Sequence, residues 1–197
     1  MARKPLMAGN WKMNNTYAEA VVLAQTISNN FDKHWTDSVD VLVCPPSIDL
    51  KPVNTVFEFD HQPIQIGAQN VYWEPKGAFT GEVSVPMLKD VHCTCSIVGH
   101  SERRGYFGET NEDVNRKVRA LLDGGLYAVA CVGESLSVRD EGGAEEFVCA
   151  QVRAAFAGLE PEEAGKCVVA YEPIWAIGTG RTATPEQAEA VCAAIRA

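Results

Sequence analysis

Short apolar runs, each followed by a stretch with helical spacing, repeat along the chain. The runs end 25 to 40 residues apart, near Trp11, Cys44, Gln69, Gly99, Val132 and Glu172. A strand, a loop and a helix of ten or more residues need about 30 residues, which is the length of one βαβ step. Continuous apolar strands that alternate with helices are typical of a parallel sheet with both faces covered. The pattern therefore predicts an α/β fold.

Two helical stretches have readable boundaries. The stretch from Asn111 to Leu122 has acids in its first turn and stops before Gly124, so we expect Asn111 to be its N-cap. Near the end of the chain, Thr184 is followed by a proline and, three residues after the threonine, by a glutamine. This spacing predicts a capping box that opens a last helix extending to about Ile195.

Composition and charge narrow the class of protein. The 197 residues contain no linker or low-complexity tract, which favours one domain over residues 1–197. Asp and Glu outnumber Lys and Arg by 26 to 17, a net charge of −9, and no basic run exceeds Arg103-Arg104. This balance argues against a nucleic-acid partner, although a local cluster of donors can still bind a small anion. Without a long apolar stretch or a signal-peptide pattern, we expect no membrane association and a cytoplasmic location.

The cysteines indicate reduced thiols. Their number is odd and they are scattered through apolar segments, as expected of buried thiols in a reducing compartment. Only Cys93 and Cys95 are close in sequence, and on a strand their side chains point to opposite faces, so we expect no metal site. The seven are Cys44, Cys93, Cys95, Cys131, Cys149, Cys167 and Cys192.

Periodicity alone leaves open whether the parallel sheet is doubly wound or closed into a barrel. The first run continues into AGNWKMN, where a dinucleotide-binding sheet would have its G-x-G-x-x-G turn, and this favours the barrel. The later G-T-G at 178–180 is a weak signal, because such a triplet is more often a flexible turn than a phosphate site.

Polar side chains follow three of the apolar runs. Asn10 and Lys12 stand at the end of the first run, His100 follows the fourth, and Glu172 ends the sixth. Because the carboxyl ends of parallel strands open on one rim, these groups are expected to converge there. An amide, an ammonium, an imidazole and a carboxylate suit an acid/base reaction on a small anion.

Each of these residues also has a simpler interpretation. Lys12 alone could be a solvated lysine, and His100 alone could be a structural histidine. Glu172 is harder to dismiss, because it stands at the tip of an otherwise apolar strand where a carboxylate is partly removed from water. The segment PIWAIGTG after it combines an apolar tip with flexible glycines, which suits a lid that excludes water, although it could be an ordinary connection.

Four strings of residues carry a resemblance to a known family: AGNWKMN, AQNVYWEPKGAFTGEVS, IVGHSERR and AYEPIWAIGTGRTATPEQA. With them the chain resembles the triosephosphate isomerase family along its whole length. The resemblance implies a TIM (β/α)8 barrel and an aldose-ketose isomerase of glycolysis and gluconeogenesis. Such an enzyme interconverts dihydroxyacetone phosphate and D-glyceraldehyde 3-phosphate through an enediolate and needs no cofactor or metal.

The resemblance also implies roles for individual residues. Glu172 is expected to be the base that moves the proton, and His100 the neutral electrophile. Asn10 and Lys12 are expected to hold the substrate and to stabilise the developing negative charge. By the same resemblance, Glu102 is expected to support Lys12.

Further roles follow from the same resemblance. Ser101 is expected to contact the catalytic carboxylate in the open form, and the amide of Gly178 to bind the substrate phosphate. The closing lid would consist of Pro173, Ile174, Trp175, Ala176, Ile177, Gly178, Thr179 and Gly180.

The family is a homodimer, and here the loop Asn70–Glu82 would insert into the neighbouring subunit. This loop has more apolar side chains than a free loop normally exposes, which independently suits an interface. Thr80 is expected to reach toward Asn10 and Lys12 of the other subunit, with Gln69 also at the interface.

The chain departs from the family in length. A (β/α)8 barrel takes about 250 residues, and six units with a last helix account for all of this sequence, so strands seven and eight are expected to be absent and the domain to be C-terminally incomplete. An alternative is therefore a non-catalytic, interaction-prone fragment that lacks part of the phosphate site. A weaker alternative is a barrel enzyme that uses Lys12 as a Schiff base.

Two further features receive no catalytic role. Cys131 ends the fifth run without a histidine near it in sequence, and we expect it to pack in the core. The polar stretch from Gly133 to Gly143 is expected to be a capped loop without chemistry.

Overall fold

The computed structural model describes residues 3–177 and 179–197. They belong to two compact units. The first unit runs up to Ile97 and includes Asp123–Leu126, and the second comprises Val98–Leu122 and Tyr127–Ala197.

Strands and helices alternate in the first unit. In chain order they are β1 (Leu6–Asn10), α1 (Tyr17–Asn30), β2 (Asp40–Cys44), α2 (Leu50–Phe59), β3 (Gln65–Ala68), α3 (Val85–Asp90) and β4 (Cys95–Val98, with its last residue in the second unit). Single 3₁₀ turns at Lys33–Asp37 and Ser47–Asp49 precede β2 and α2.

These four strands are parallel and adjacent in chain order. Leu6 pairs with Asp40 across β1 and β2, Leu42 with Gln65 across β2 and β3, and Gly67 with Cys95 across β3 and β4. Parallel neighbours need a crossover connection, and here the helices between the strands supply it. The carboxyl ends of β1 and β2 therefore lie side by side, with Asn10 opposite Cys44.

The core of the first unit lies between β2, β3 and the helix faces. In α2, Val53 and Phe57 are one turn apart and both buried, as spacing on one helical face requires. Leu42 and Ile66 are the corresponding buried strand residues. By contrast β1 is only partly covered, and Met7 is 64% exposed.

The second unit repeats the alternation. Its elements are α4 (Ser101–Phe107), α5 (Asn111–Asp123, with its last residue in the first unit), β5 (Tyr127–Val132), α6 (Leu136–Asp140), α7 (Ala144–Ala155), α8 (Pro161–Ala164), β6 (Val168–Tyr171) and α9 (Pro185–Arg196). A 3₁₀ turn at Ile174–Ala176 follows β6.

β5 and β6 pair in parallel, with Val132 opposite Tyr171. Val132, Val148 of α7 and Val191 of α9 form a buried apolar cluster against which Val169 packs. This cluster packs α7 and α9 against β5 and β6. Packing therefore fixes the position of β6.

The predicted α/β fold is confirmed, and each strand ends within one residue of its predicted position. The capping box at Thr184 is also present, with its hydroxyl accepting from the N–H of Gln187. The cap at Asn111 is wrong. Thr110 caps α5 instead, because its hydroxyl accepts from the N–H of Asp113 while that carboxylate accepts from the N–H of Thr110.

The seven cysteines, all within the described residues, are thiols rather than disulfides, and four of them are buried as predicted: Cys44, Cys93, Cys95 and Cys131. Cys149, Cys167 and Cys192 are only half-buried, because they lie on or beside elements whose outer sides face solvent. Within the described residues, no helix is long and apolar enough to span a membrane.

Candidate active site

His100 stands where β4 turns into α4. It is the N-cap of that helix, and its Nδ1 accepts the N–H of Glu102 at 3.2 Å. The Glu102 carboxylate is also 3.5 Å from Nδ1, an ion pair that would require a proton on that nitrogen. The backbone N–H can only donate, so Nδ1 is the acceptor and Nε2 carries the proton of a neutral ring.

Glu172 follows β6 directly, and its backbone N–H extends the ladder to the carbonyl of Val132 at 2.8 Å. Its side chain is 19% exposed. Oε1 lies 3.1 Å from Nε2 of His100, and Oε2 accepts the hydroxyl of Ser101 at 2.7 Å. His100 and Ser101, both predicted site residues of the second unit, thus contact the carboxylate of Glu172.

This arrangement places a proton acceptor beside a neutral donor. The Glu172 carboxylate can remove a proton, and Nε2–H of His100 can donate a hydrogen bond to an oxygen on which negative charge develops. Both side chains are largely withdrawn from water, which strengthens such interactions.

Asn10 and Lys12 lie at the corresponding end of β1, in the first unit. The side-chain oxygen of Asn10 accepts the N–H of Lys12 at 2.9 Å. Lys12 has φ of 54°, in the left-handed region that a residue with a Cβ rarely occupies. Such a conformation persists only when its surroundings hold it, and it is typical of functional sites.

Gln69 is one of the groups that hold Lys12. Its amide nitrogen donates to the carbonyl of Lys12 and to that of Cys44, each at 2.8 Å. Sequence reasoning expected Gln69 only at a subunit interface and missed this contact within the chain. The available signal was its position directly after β3, at the same sheet edge as Asn10.

The loop Asn70–Glu82 is built around stacked aromatic rings. Tyr72 lies 4.2 Å from Trp73 and 4.6 Å from Phe79 between ring centroids. Phe79 is nevertheless 39% exposed, and Thr80 and Glu82 are also exposed. The loop therefore offers an apolar surface with polar residues beside it.

The expected lid begins with the 3₁₀ turn after β6. Trp175, in the expected apolar tip, is buried, and its indole N–H donates to Oε1 of Glu134 at 2.8 Å. Ile177 is 46% exposed, and the hydroxyl of Thr179 donates to the carbonyl of Trp175 at 2.7 Å. Gly178, the expected phosphate contact, lies outside the described residues.

Oε1 of Glu134 accepts hydrogen bonds from three side chains. Besides Trp175, its Oε1 accepts the phenol of Tyr171 and a guanidinium N–H of Arg139, both at 2.9 Å. Burial, and then the hydrogen bond to Glu134, raises the pKa of Tyr171. Because a protonated phenol can donate, this keeps the contact intact.

The stretch from Gly133 to Gly143 is not only the expected capped loop, because it contains the short helix α6, which Ser135 caps. Its second residue, Glu134, binds Trp175 at the start of the expected lid. Its position immediately after β5, at a strand end, was the signal that could have identified it.

Cys131 is buried at the end of β5, as expected of a packing residue. Burial, and secondly the negative charge of Glu172, raises the pKa of its thiol well above the usual range. A protonated thiol is a poor nucleophile, which agrees with a packing role. Among the described residues, no three His, Cys, Asp or Glu side chains are grouped to hold a metal ion.

Comparison with known proteins identifies the family. The profile of the family described as triosephosphate isomerase matches residues 5–197. A triosephosphate isomerase of Chloroflexus aurantiacus is 51% identical over 195 residues, which cover 99% of this chain and 76% of that protein. That of Saccharopolyspora erythraea is 48% identical over 196 residues, covering 100% of this chain and 75% of the relative. The chain therefore belongs to the triosephosphate isomerase family, and its function is that of an isomerase.

Proposed function

We propose that the chain interconverts dihydroxyacetone phosphate and D-glyceraldehyde 3-phosphate by proton transfer through an enediolate. The observation that carries this proposal is the 3.1 Å approach of Glu172 Oε1 to Nε2 of a neutral His100. A base beside a neutral hydrogen-bond donor is the pair that proton abstraction next to a carbonyl requires. The family match over residues 5–197 favours this activity over a non-catalytic fragment.

In this mechanism Glu172 takes the proton from the carbon beside the carbonyl and returns it to the neighbouring carbon. The Nε2–H of His100 donates to the carbonyl oxygen as negative charge develops there. The proton that this oxygen gains is replaced at Nε2 by the proton of the neighbouring hydroxyl, so the carbonyl moves from one carbon to the other. Lys12 supplies a positive charge for the phosphorylated substrate, and Asn10 holds the strained backbone of Lys12, as its 2.9 Å hydrogen bond suggests.

Ser101 and Glu102 hold the side chains of Glu172 and His100 in position. Ser101 holds the Glu172 carboxylate until substrate displaces it, and the backbone N–H of Glu102 keeps the proton of His100 on Nε2. Residues 173–180 form the lid, with Gly178 contributing a phosphate contact. Closure would keep water from the intermediate.

We also propose that residues 1–197 belong to one (β/α)8 barrel domain and supply six of its units. Support comes from the parallel strand pairs, from the helices between them and from the family match. The chain covers 75 to 76% of the relatives described above.

The working form is a homodimer in this proposal. Loop Asn70–Glu82 would insert into the other subunit, with Gln69, Thr80 and Glu82 at the interface. The exposed ring of Phe79 favours this arrangement, because large apolar side chains concentrate at interfaces. Sedimentation of the protein and of Phe79→Ser tests it, since the substitution is expected to shift dimer to monomer. A monomeric parent protein would contradict it.

The family relationship favours catalysis without a cofactor. The same relationship, together with cysteines that are thiols rather than disulfides, favours a cytoplasmic location.

The proposed reaction is tested by turnover of glyceraldehyde 3-phosphate in D₂O, followed by NMR of the product. A base such as Glu172 exchanges its proton with solvent, so deuterium is expected in part of the dihydroxyacetone phosphate formed. Turnover without deuterium would exclude the proposed base mechanism, and no turnover would favour the non-catalytic alternative. Borohydride trapping with substrate is expected to leave Lys12 unmodified, whereas a trapped adduct would favour the Schiff-base reaction.

A further inference from the structure

Arg104 is a half-buried arginine to which the proposed reaction gives no role. Its Nε donates to the carbonyl of Gly99 at 2.7 Å, and its Nη1 donates to the side-chain oxygen of Asn111 at 2.8 Å. Its Nη2 is buried without an acceptor among the described residues. Withdrawing part of a guanidinium from water costs free energy. We therefore asked what its two hydrogen bonds, to Gly99 and Asn111, hold in place.

The Gly99 carbonyl belongs to the peptide bond that joins Gly99 to His100. Gly99 has φ of 70°, a left-handed conformation that suits glycine. Side chains hold both of its polar groups, because Oε1 of Glu109 accepts its N–H at 2.9 Å and Arg104 binds its carbonyl. A β-carbon on Gly99 would lie 2.8 Å from Nη2 of Arg104, so the guanidinium also fills the space beside this residue.

We propose that Arg104 is a positioning residue for His100. Its side chain binds the carbonyl before His100, and its backbone N–H binds the carbonyl of His100 itself at 3.0 Å. One residue therefore fixes the peptide groups on both sides of the imidazole. Rotation of these groups would move Nε2 away from Glu172, and a displacement of about 1 Å can lower a rate about a hundredfold. The inference rests on the proposed role of His100.

Arginine suits this position better than lysine. Its planar guanidinium directs two N–H groups in fixed, divergent directions, and here they reach a backbone carbonyl and an amide oxygen. A lysine ammonium is a compact charge on a flexible stem and would not hold both acceptors in one geometry. Arg104→Lys therefore keeps the positive charge but loses the orientation.

Arg119 offers a matched control. Its guanidinium also binds one backbone carbonyl, of Ala157 at 2.7 Å, and one amide oxygen, of Asn115 at 3.2 Å. Ala157 follows α7 and Asn115 lies on α5, and neither residue is next to His100 in the chain. Arg119→Met removes the same kinds of hydrogen bond without touching the peptide groups around the imidazole.

The experiment compares Arg104→Lys, Arg104→Met and Arg119→Met with the parent protein. It measures kcat and KM for glyceraldehyde 3-phosphate, and the ¹⁵N NMR signals of the histidine rings. The chain has four histidines, and His100→Gln identifies the relevant signal. If Arg104→Met does not fold, Arg104→Lys supplies the same test with the charge retained.

The expected result is a fall in kcat of about tenfold to a hundredfold in the Arg104 variants, with KM within about twofold and a shifted His100 signal. Arg119→Met is expected to match the parent protein in all three measurements. Unchanged kcat with an unchanged His100 signal, or equal losses in Arg119→Met, would overturn the proposal. If the parent protein does not turn over, the proposed function fails and the His100 signal alone decides whether Arg104 positions the ring.

Discussion

Gly133 lies so close to Glu172 that a β-carbon on the glycine would be 2.0 Å from the carbonyl oxygen of Glu172. This is far inside van der Waals contact, so only glycine fits. The Gly133 N–H is in turn held by the side-chain oxygen of Gln151 at 2.9 Å, which leaves the glycine little freedom to move aside. Gly133, directly after β5, therefore limits the backbone position of Glu172, directly after β6.

Gly133→Ala is expected to push the backbone of Glu172 outward and to lower kcat about a hundredfold, because the carboxylate would no longer reach its proton. Steady-state kinetics measures the effect. Gly105→Ala is the matched control, since nothing lies within 4 Å of its added methyl group and it stands in a helix. It is expected to keep the parent kcat, and a parent-like rate in Gly133→Ala would contradict the close fit.

Lys12→Met is expected to abolish measurable substrate binding, because it removes the positive charge proposed to hold the phosphorylated substrate. Binding of dihydroxyacetone phosphate is measured by calorimetry, together with KM in the assay. Lys51→Met removes an exposed lysine from α2 and is expected to change neither value. An unchanged KM in Lys12→Met would remove Lys12 from the binding role.

Trp175→Phe removes the indole N–H that binds Glu134 and is expected to loosen the start of the proposed lid. A hydrogen bond to a charged group contributes about 1.5–3 kcal/mol, so amide exchange should accelerate about tenfold or more. The reporting amides are those of Ala176 and Ile177, which close the 3₁₀ turn. Trp73→Phe, in the loop after β3, should leave their exchange unchanged. Equal rates in Trp175→Phe and the parent would show that the indole does not anchor this segment.

Stability is expected to fall as pH rises above about 9. Burial raises the pKa of the Cys93 thiol from its ordinary value of 9.0 to about 12. Between these values the unfolded chain loses the proton while the folded chain retains it, so deprotonation favours unfolding. The stabilisation is complete below pH 9 and is lost as pH approaches 12, at up to about 1.4 kcal/mol per pH unit.

Urea unfolding at pH 8, 9 and 10 measures this slope. Cys93→Ala should make the slope shallower, because the variant has no thiol to titrate at this position. Other buried groups with raised pKa values, such as Cys131, should leave part of the slope in place. A slope identical to that of the parent protein would exclude Cys93 as a contributor.

The strand ends could be predicted from the sequence, and with them the positions of His100 and Glu172. Apolar runs bounded by turn residues are local signals, and the residue after such a run is at a rim by geometry. The contacts at the rim could not be predicted, because they join distant parts of the chain. Ser101 and Glu172, whose side chains are 2.7 Å apart, are separated by 71 positions.

Glu134 shows most clearly why contacts between distant parts of the chain could not be predicted from the sequence. In the sequence it begins a polar stretch that looks like a solvated loop, and its partner Trp175 is 41 positions away. The helix cap at Thr110 was missed for a local reason, since Thr110 and Asn111 are both favoured cap residues. Thr110 is selected because Asp113 lies three positions after it and completes the reciprocal bonds, whereas Asn111 is used by Arg104.

The kcat of Glu172→Asp shows whether Glu172 is the base of an isomerase. Shortening the side chain by one methylene withdraws the carboxylate from the proton, while Ser101 and His100 remain in place. We expect kcat to fall about a hundredfold or more, with a thermal midpoint close to that of the parent protein. Turnover of Glu172→Asp at the parent rate would contradict it.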